Sequence, residues 1–221
     1  MGETCPEILK KCRLFEGIAV NDISAMLRCF NVTGRKYKKG QNIFLQGEEA
    51  KYFGILLSGA AQVVKIDYYG NRSIVNTVVP GEIFGEAFAC AGVKQLPVDV
   101  IATEDAEVLL VAAQNIASPC ANACKFHSRV IMNLLKVIAL NNIRINRKIE
   151  VTSKRTTREK LMAYLMLQAK NAGSASFTVP FDRQELADYL EVDRSGLSAE
   201  ISKLRREGVI ECDRSRFKLL I

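Results

Sequence analysis

The sequence contains no apolar run of membrane-spanning length, and its first residues lack the apolar core of a signal peptide. We therefore expect a cytoplasmic protein with no membrane partner. Also lacking are the P-loop, the dinucleotide-binding glycine fingerprint, the nucleophile elbow and the metal-hydrolase motif. The chain has one histidine among 221 residues, and that histidine forms no catalytic triad that the sequence reveals. An enzyme is not expected.

A disulfide framework is also not expected, because the seven cysteines are an odd number in a chain predicted to occupy a reducing compartment. Cys120, Cys124 and His127 form a C-x3-C-x2-H pattern and are the candidate metal ligands. Zinc sites normally use four ligands, so no metal site is predicted, and two small buried residues beside a surface histidine are favoured. Redox sensing by Cys5, Cys12, Cys120 or Cys124 stays open, because thiolate formation depends on the neighbours of each sulfur.

The most informative segment is Phe181 to Leu220, which predicts two helices joined by a tight turn and followed by a β-hairpin. Asp182 can cap the first helix, and Glu185, three residues later, completes a capping box. Asp193 can cap the second helix. The apolar face of that helix consists of Leu197, Ile201 and Leu204. This order is that of a DNA-binding winged helix-turn-helix, and the net charge of +7 suits a polyanionic partner. The alternative is an ordinary helical hairpin.

The rest of the chain shows two further patterns. Residues 5–29 are predicted to be helical, and residues 31–112 are short apolar or alternating runs broken by glycines, typical of an all-β barrel or roll. Residues 124–149 predict a long helix with one heptad-spaced face. The members of that face are Ile131, Leu135, Ile138, Asn142, Ile145 and Ile149. Its single asparagine favours a parallel, in-register pair of identical helices; the alternative is a helix packed along its own domain.

A β-roll, a long helix and a winged helix, in this order, resemble the Crp–Fnr family of bacterial transcription regulators. The most specific parts are the blocks RQELADYLEVDRSGLSAEISKL and PGEIFGEAF. The resemblance implies an α+β fold: an antiparallel, cyclic-nucleotide-binding-like sensor roll with N-terminal helices (1–123), a long dimerisation helix (124–150) and a winged helix-turn-helix domain (151–221). It implies a cytoplasmic homodimer that binds palindromic double-stranded promoter DNA, acts on RNA polymerase and is controlled by a signal sensed in the roll.

In the family pattern, the start of the second helix reads base edges; here those positions hold Arg194, Ser195, Ser198 and Ala199. Arg194 can make a bidentate contact to guanine. Ala199 stands where many relatives carry a second arginine, and Ser195 where the cyclic-AMP receptor protein has glutamate, so that protein's target sequence is not carried over. Glu191 departs from a turn position that is often glycine, which questions the turn geometry. Further DNA contacts are expected from Arg183, Gln184, Lys203, Arg214 and Arg216.

Rolls of the cyclic-nucleotide type hold the ribose with a glutamate and neutralise the phosphate with an Arg-Ser pair slightly downstream. Gly85 and Glu86 match the first part, but the Arg-Ser positions are Leu96 and Pro97. Cyclic AMP is therefore disfavoured, although Lys94 could supply a cation, and the effector remains unknown. The expected pocket consists of Phe84, Gly85, Glu86, Ala87, Phe88, Lys94, Leu96 and Pro97.

Two other functions compete with this interpretation. One is a ligand-binding regulatory subunit without a DNA function, because similar rolls control kinases and channels. The other is a regulator that senses redox state or a metal through cysteines. The oxygen-sensing relatives hold an iron–sulfur cluster through closely spaced N-terminal cysteines and one late in the roll. Here Cys5 and Cys12 are widely spaced, Cys29 is more distant, and Leu109 lies near the late position, so the match is poor.

Overall fold

A computed structural model describes residues 5–117 and 126–220 of the chain. By their contacts the residues form two units. The first unit contains the chain up to Ile66 together with Val75–Asn142, and the second contains Asp67–Ile74 together with the chain from Ile143 onward. Each unit is described by itself below.

The first unit begins with two helices, α1 (Cys5–Lys11) and α2 (Val20–Cys29), separated by one short 3-10 turn (Arg13–Phe15). The helical segment expected over residues 5–29 is therefore interrupted. The interruption contains Gly17, whose φ of 75° lies in the left-handed region that glycine adopts without strain.

Eight strands follow, most of them separated by glycine-containing turns, with one short helix between the sixth and the seventh strand. Their bounds are β1 (Thr33–Tyr37), β2 (Asn42–Phe44), β3 (Tyr52–Ser58), β4 (Ala61–Ile66), β5 (Arg72–Val78), β6 (Ile83–Phe84), β7 (Asp99–Ala102) and β8 (Ala106–Ala112). They form two four-stranded sheets, ordered β1-β8-β3-β6 and β2-β7-β4-β5. In the first, β8 pairs antiparallel with β1 and β3; in the second, β7 pairs antiparallel with β2 and β4. The predicted antiparallel roll is confirmed.

Two of these strands show no strand signal in the sequence. Strand β1 has the sequence TGRKY and is exposed along most of its length, so it shows no apolar alternation. Strand β6 has only two residues, too few for any periodicity. Short helices α3 (Glu86–Ala91) and α4 (Ala113–Ala117) follow β6 and β8.

The two faces of the first sheet contribute to two apolar clusters. Along β8, Val108 and Leu110 belong to the cluster inside the roll, whereas Leu109 and Val111 belong to the cluster with the N-terminal helices. This alternation follows from the two-residue period of a strand. Gly54 in β3 is required by close packing, because a Cβ at that position would overlap the ring of Phe84.

A long helix, α5 (His127–Thr152), crosses the boundary between the units after Asn142. Its first half is anchored in the first unit by buried Val130, Leu134 and Val137. Buried Asn133 donates hydrogen bonds from Nδ2 to the carbonyl oxygens of Leu14 (3.0 Å) and Glu16 (2.9 Å). Within the described ranges, no helix combines the length and the apolarity that crossing a membrane requires.

The second unit holds the remaining elements. They are α6 (Thr157–Ala172), β9 (Ser176–Thr178), α7 (Arg183–Leu190), α8 (Arg194–Arg206), β10 (Ile210–Asp213) and β11 (Arg216–Leu219). The three strands form an antiparallel sheet ordered β10-β11-β9. Thr156 and Glu159 make a capping box at the start of α6. The core of this unit includes fully buried Leu161, Leu165, Leu186, Leu197, Leu204 and Phe217.

Candidate nucleic-acid interface and effector pocket

The first helix of the candidate DNA-binding motif begins at a complete capping box. The amide of Glu185 donates to Asp182 Oδ1 (2.8 Å), and the amide of Asp182 donates to Glu185 Oε2 (2.9 Å). Two of the helix's otherwise unpaired N–H groups are thus satisfied. The cap predicted from the spacing of these residues is confirmed, and it places Arg183 and Gln184 in the first turn of α7.

The turn between α7 and α8 is tight although it lacks the expected glycine. Glu191 adopts φ 55° and ψ 54°, a left-handed conformation that costs a residue with a Cβ on the order of 1–2 kcal/mol. The chain reverses there with the Val192 amide donating to the carbonyl of Ala187 (3.1 Å). Ala187 and Leu190 are fully buried, so the small side chain of Ala187 lets the helices approach closely. The turn geometry questioned by Glu191 is therefore intact.

Helix α8 presents the predicted base-reading residues at a well-capped N-terminus. Asp193 Oδ1 accepts hydrogen bonds from the amides of Ser195 (2.8 Å) and Gly196 (3.0 Å) and from the Ser195 hydroxyl (2.5 Å). The Ser195 hydroxyl, followed by the Gly196 amide, holds the pKa of the Asp193 carboxyl below its usual range. Because the Ser195 hydroxyl donates its proton to Asp193 and Ser195 is exposed, its oxygen is left with the role of an acceptor.

One face of α8 is buried and the other is exposed, as expected for a helix that reads base edges in the major groove. Leu197, Ile201 and Leu204 are buried. Arg194, Ser195, Ala199 and Lys203 are exposed and Ser198 is half-buried. Arg194 lies in the first turn, where the helix dipole also favours an anion.

The wing is the β10–β11 hairpin, whose turn includes Arg214 at φ 51°. Arg214 and Arg216 are exposed. Arg183 is half-buried: its Nη2 donates to the carbonyl of Arg214 (3.4 Å) and contacts Cys212 Sγ (3.7 Å), and its guanidinium lies 6.0 Å from the centre of the Phe217 ring. Arg183 thus braces the wing against α7, in addition to any phosphate contact it makes.

In the roll, Gly85 and Glu86 of the predicted pocket contact other side chains of the protein. Gly85, with φ 77°, precedes α3, and a Cβ there would lie 3.0 Å from the Phe44 ring. Glu86 is 4% exposed, and its Oε1 accepts a hydrogen bond from Asn141 Nδ2 of α5 at 2.6 Å. The carboxylate in the position of the ribose-binding glutamate is therefore bound to a side chain of the long helix.

The positions downstream offer no phosphate-binding group of the expected kind. Leu96 is buried in the apolar interior of the roll, whereas Pro97 and Lys94 are exposed. Of the remaining predicted pocket residues, Phe84 is buried against the Phe44 ring, Phe88 is half-buried and Ala87 is exposed. A cavity of about 390 Å³ also reaches Leu96 and Phe44.

Comparison with known proteins supports the assignment of both the roll and the helix-turn-helix. The family model of a cyclic nucleotide-binding domain matches residues 34–122, and that of a Crp-like helix-turn-helix domain matches residues 159–221. The transcriptional activator protein FnrL of Cereibacter sphaeroides is 25% identical over 192 residues, covering 82% of this chain and 74% of that protein. The chain belongs to the Crp–Fnr family of transcription regulators. It is therefore a DNA-binding regulator and not an enzyme.

Solved structures share the fold of this Crp–Fnr protein. FixK2 from Bradyrhizobium japonicum superposes with a TM-score of 0.65 and 21% identity, covering 86% of this chain and 93% of that one. The regulator CLP of Xanthomonas campestris, described as responsive to c-di-GMP, superposes with a TM-score of 0.75 and 14% identity, covering 91% and 99%.

The heptad face of α5 in this Crp–Fnr chain is largely uncovered. Leu135, Ile145 and Ile149 are about half exposed (55%, 48% and 55%). Ile131 and Asn142 are also exposed, whereas Ile138 packs partly against the N-terminal cluster.

The cysteine hypotheses fall partly outside the described ranges, which exclude Cys120 and Cys124. His127 packs edge-on against Phe30 at 5.1 Å, and its buried ring nitrogens have no hydrogen-bond partner in the described part of the chain. Cys12 is buried, and desolvation raises the pKa of its thiol to about 11, which disfavours the thiolate at neutral pH. Cys29 is exposed.

Two side-chain contacts of the described residues are not indicated by the sequence pattern. Asn141 was not recognised, because it lies one residue from the heptad face and its partner Glu86 is distant in sequence. The Glu191 side chain accepts a hydrogen bond from the hydroxyl of Ser73 (3.0 Å), a contact that the departure from glycine at this position does not indicate.

Proposed function

We propose that the protein is a homodimeric, sequence-specific regulator that binds palindromic promoter DNA through α8 and acts on RNA polymerase. The observation that carries this proposal is the N-terminus of α8. There Asp193 caps the helix, the apolar face is buried, and Arg194 stands exposed in the first turn. Arg194 reads guanine, and Ser195, as an acceptor, together with Ala199 gives a preference different from that of regulators with glutamate and arginine at these positions.

The dimer is proposed from α5, whose half-exposed leucine and isoleucines line one side of the helix. A second copy of the same helix would cover this face and place the two reading helices on paired half-sites, about 34 Å apart on the DNA. The roll is proposed to respond to a signal other than cyclic AMP. Two observations support this. The carboxylate of Glu86, which would hold the ribose, is bonded to Asn141, and the position of the phosphate-binding arginine holds Leu96, which is buried among apolar side chains.

The test is selection of bound sequences from a randomised duplex pool, followed by binding measurements at several salt concentrations. A palindromic consensus and a steep loss of affinity with salt are expected. Arg194→Ala should cost about 1–3 kcal/mol on the selected duplex and relax the preference at one base pair of each half-site.

Arg205→Ala is the matched control, because Arg205 is exposed at the far end of the same helix. It should leave the base preference unchanged. Absence of any selected sequence would contradict the proposal, and an unchanged preference in Arg194→Ala would remove Arg194 from base reading.

A further inference from the structure

Three residues of the second unit, Ser73, Lys148 and Lys160, contact the turn residue Glu191. Its Oε1 accepts a hydrogen bond from the hydroxyl of Ser73 (3.0 Å) and lies 3.5 Å from Lys148 Nζ of α5. Its carbonyl oxygen accepts a hydrogen bond from Lys160 Nζ of α6 (3.2 Å). A residue in a left-handed conformation persists when its surroundings hold it there, and these contacts provide that support.

The segment that contains Ser73 is bonded at successive residues. Arg72 Nη1 lies 3.4 Å from Oδ2 of Asp188, a buried carboxylate of α7. The carbonyl of Ile74 accepts a hydrogen bond from Lys148 Nζ at 2.7 Å. Arg72–Ile74 is thus fixed to α7, to the turn and to α5.

The lysine in this cluster is largely enclosed. The side chain of Lys148 is 12% exposed and its ammonium lies 5.2 Å from the centre of the Tyr189 ring. Desolvation lowers the pKa of Lys148, opposed by Glu191. A desolvated ammonium is stabilised only while its hydrogen-bond acceptors stay in place. Because Lys148 contacts both the Ile74 carbonyl and the Glu191 carboxylate, it links these two groups.

The cluster also reaches a predicted DNA-contacting residue. Asp188 Oδ1 accepts a hydrogen bond from Gln184 Nε2 at 2.8 Å, while Oδ2 faces Arg72. Gln184 lies in the first turn of α7, one residue after Arg183. The contacts of Arg72–Ile74 therefore bear on both helices of the motif: on α7 through Asp188 and on the start of α8 through Glu191.

We propose that Glu191 is a positioning residue for DNA reading: its carboxylate, held by Ser73 and Lys148, fixes the angle between α7 and α8. This inference rests on the proposed function, since it concerns how α8 is presented to bases. A glycine at this position would form the turn with less strain, but it would leave the turn without its side-chain anchor. The glutamate thus has a more strained backbone than glycine would have, but its side-chain contacts define the orientation of Arg194.

The test compares Glu191→Gly, Glu191→Gln and Ser73→Ala with the wild-type chain. Thermal stability is measured together with affinity for the selected duplex and for a scrambled duplex. Glu191→Gly relieves backbone strain but removes the acceptor of Ser73 and Lys148, so the two effects on the melting temperature oppose each other and the melting temperature should change little. The ratio of selected to scrambled affinity should fall about five- to tenfold, the loss that one net hydrogen bond corresponds to. Glu191→Gln, which keeps an acceptor for Ser73, should retain most of the ratio.

Ser73→Ala should lower the same ratio in the wild-type background and have no further effect beside Glu191→Gly, because the two side chains act through one contact. Asn31→Gly is the matched control, since Asn31 also has a positive φ (49°) but belongs to the first unit. It should not change the ratio.

The outcomes separate the two proposals. If the wild-type chain selects no duplex, the proposed function fails and this inference fails with it. If the wild type discriminates and Glu191→Gly and Ser73→Ala discriminate equally well, this inference alone is overturned. If Glu191→Gly folds, additive effects of Glu191→Gly and Ser73→Ala would also refute this inference. If Glu191→Gly does not fold, Ser73→Ala decides the question by itself.

Discussion

The bond between Glu86 and Asn141 allows a prediction about the roll of this regulator. Asn141→Ala removes a hydrogen bond of 2.6 Å to a carboxylate that is 4% exposed. Bonds to charged groups contribute about 1.5–3 kcal/mol net, and a buried carboxylate that loses its donor adds a desolvation cost. We therefore expect the free energy of unfolding of the roll to fall by about 1.5–3 kcal/mol.

The assay is urea unfolding at one fixed protein concentration, because the stability of the proposed dimer would depend on concentration. Lys136→Ala is the control: it lies on the same helix and removes an exposed ion pair with Glu16 (3.5 Å, side chains 65% and 59% exposed), which should change stability by less than about 1 kcal/mol.

A double-mutant cycle makes the reasoning refutable. In a Glu86→Gln background the acceptor is neutral, so Asn141→Ala should cost about half as much as in the wild type. An Asn141→Ala variant as stable as Lys136→Ala, or an unchanged cost in the Glu86→Gln background, would show that this bond does not anchor α5.

Three further predictions concern assembly, effector and thiols. Ile145→Glu should shift the sedimenting species from dimer to monomer, whereas Arg147→Glu, on the opposite side of the heptad frame, should not; equal effects would remove the α5 interface. Calorimetric titration with cyclic AMP should show no binding, and micromolar affinity would overturn the assignment of the pocket. Since the pKa of Cys12 is raised from 9.0 to about 11, it carries about a hundredfold less thiolate at pH 8 than an ordinary cysteine. In native protein alkylated with iodoacetamide, exposed Cys29 should react while Cys12 stays unmodified; rapid modification of Cys12 would contradict its burial.

The sequence by itself determined the features that depend on neighbouring residues. The capping boxes at Thr156 and Asp182 and the cap at Asp193 join residues two or three positions apart, so their spacing is visible in the chain. The same holds for the apolar face of α8 and for most strands of the roll, since burial on one face imposes a period of 3.6 or 2 residues. These local signals, in their order, were sufficient to indicate the family.

Only the tertiary structure decided the contacts that join distant residues. Glu86 meets Asn141 across 55 positions, and Ser73 meets Glu191 across 118. No periodicity or cap relates such pairs, because their proximity results from how the strands and helices pack. The tertiary structure also showed that Arg183 lies against the wing. The sequence therefore determined that this chain carries a DNA-reading helix, whereas the packing decided which side chains hold that helix and fill the pocket of the roll.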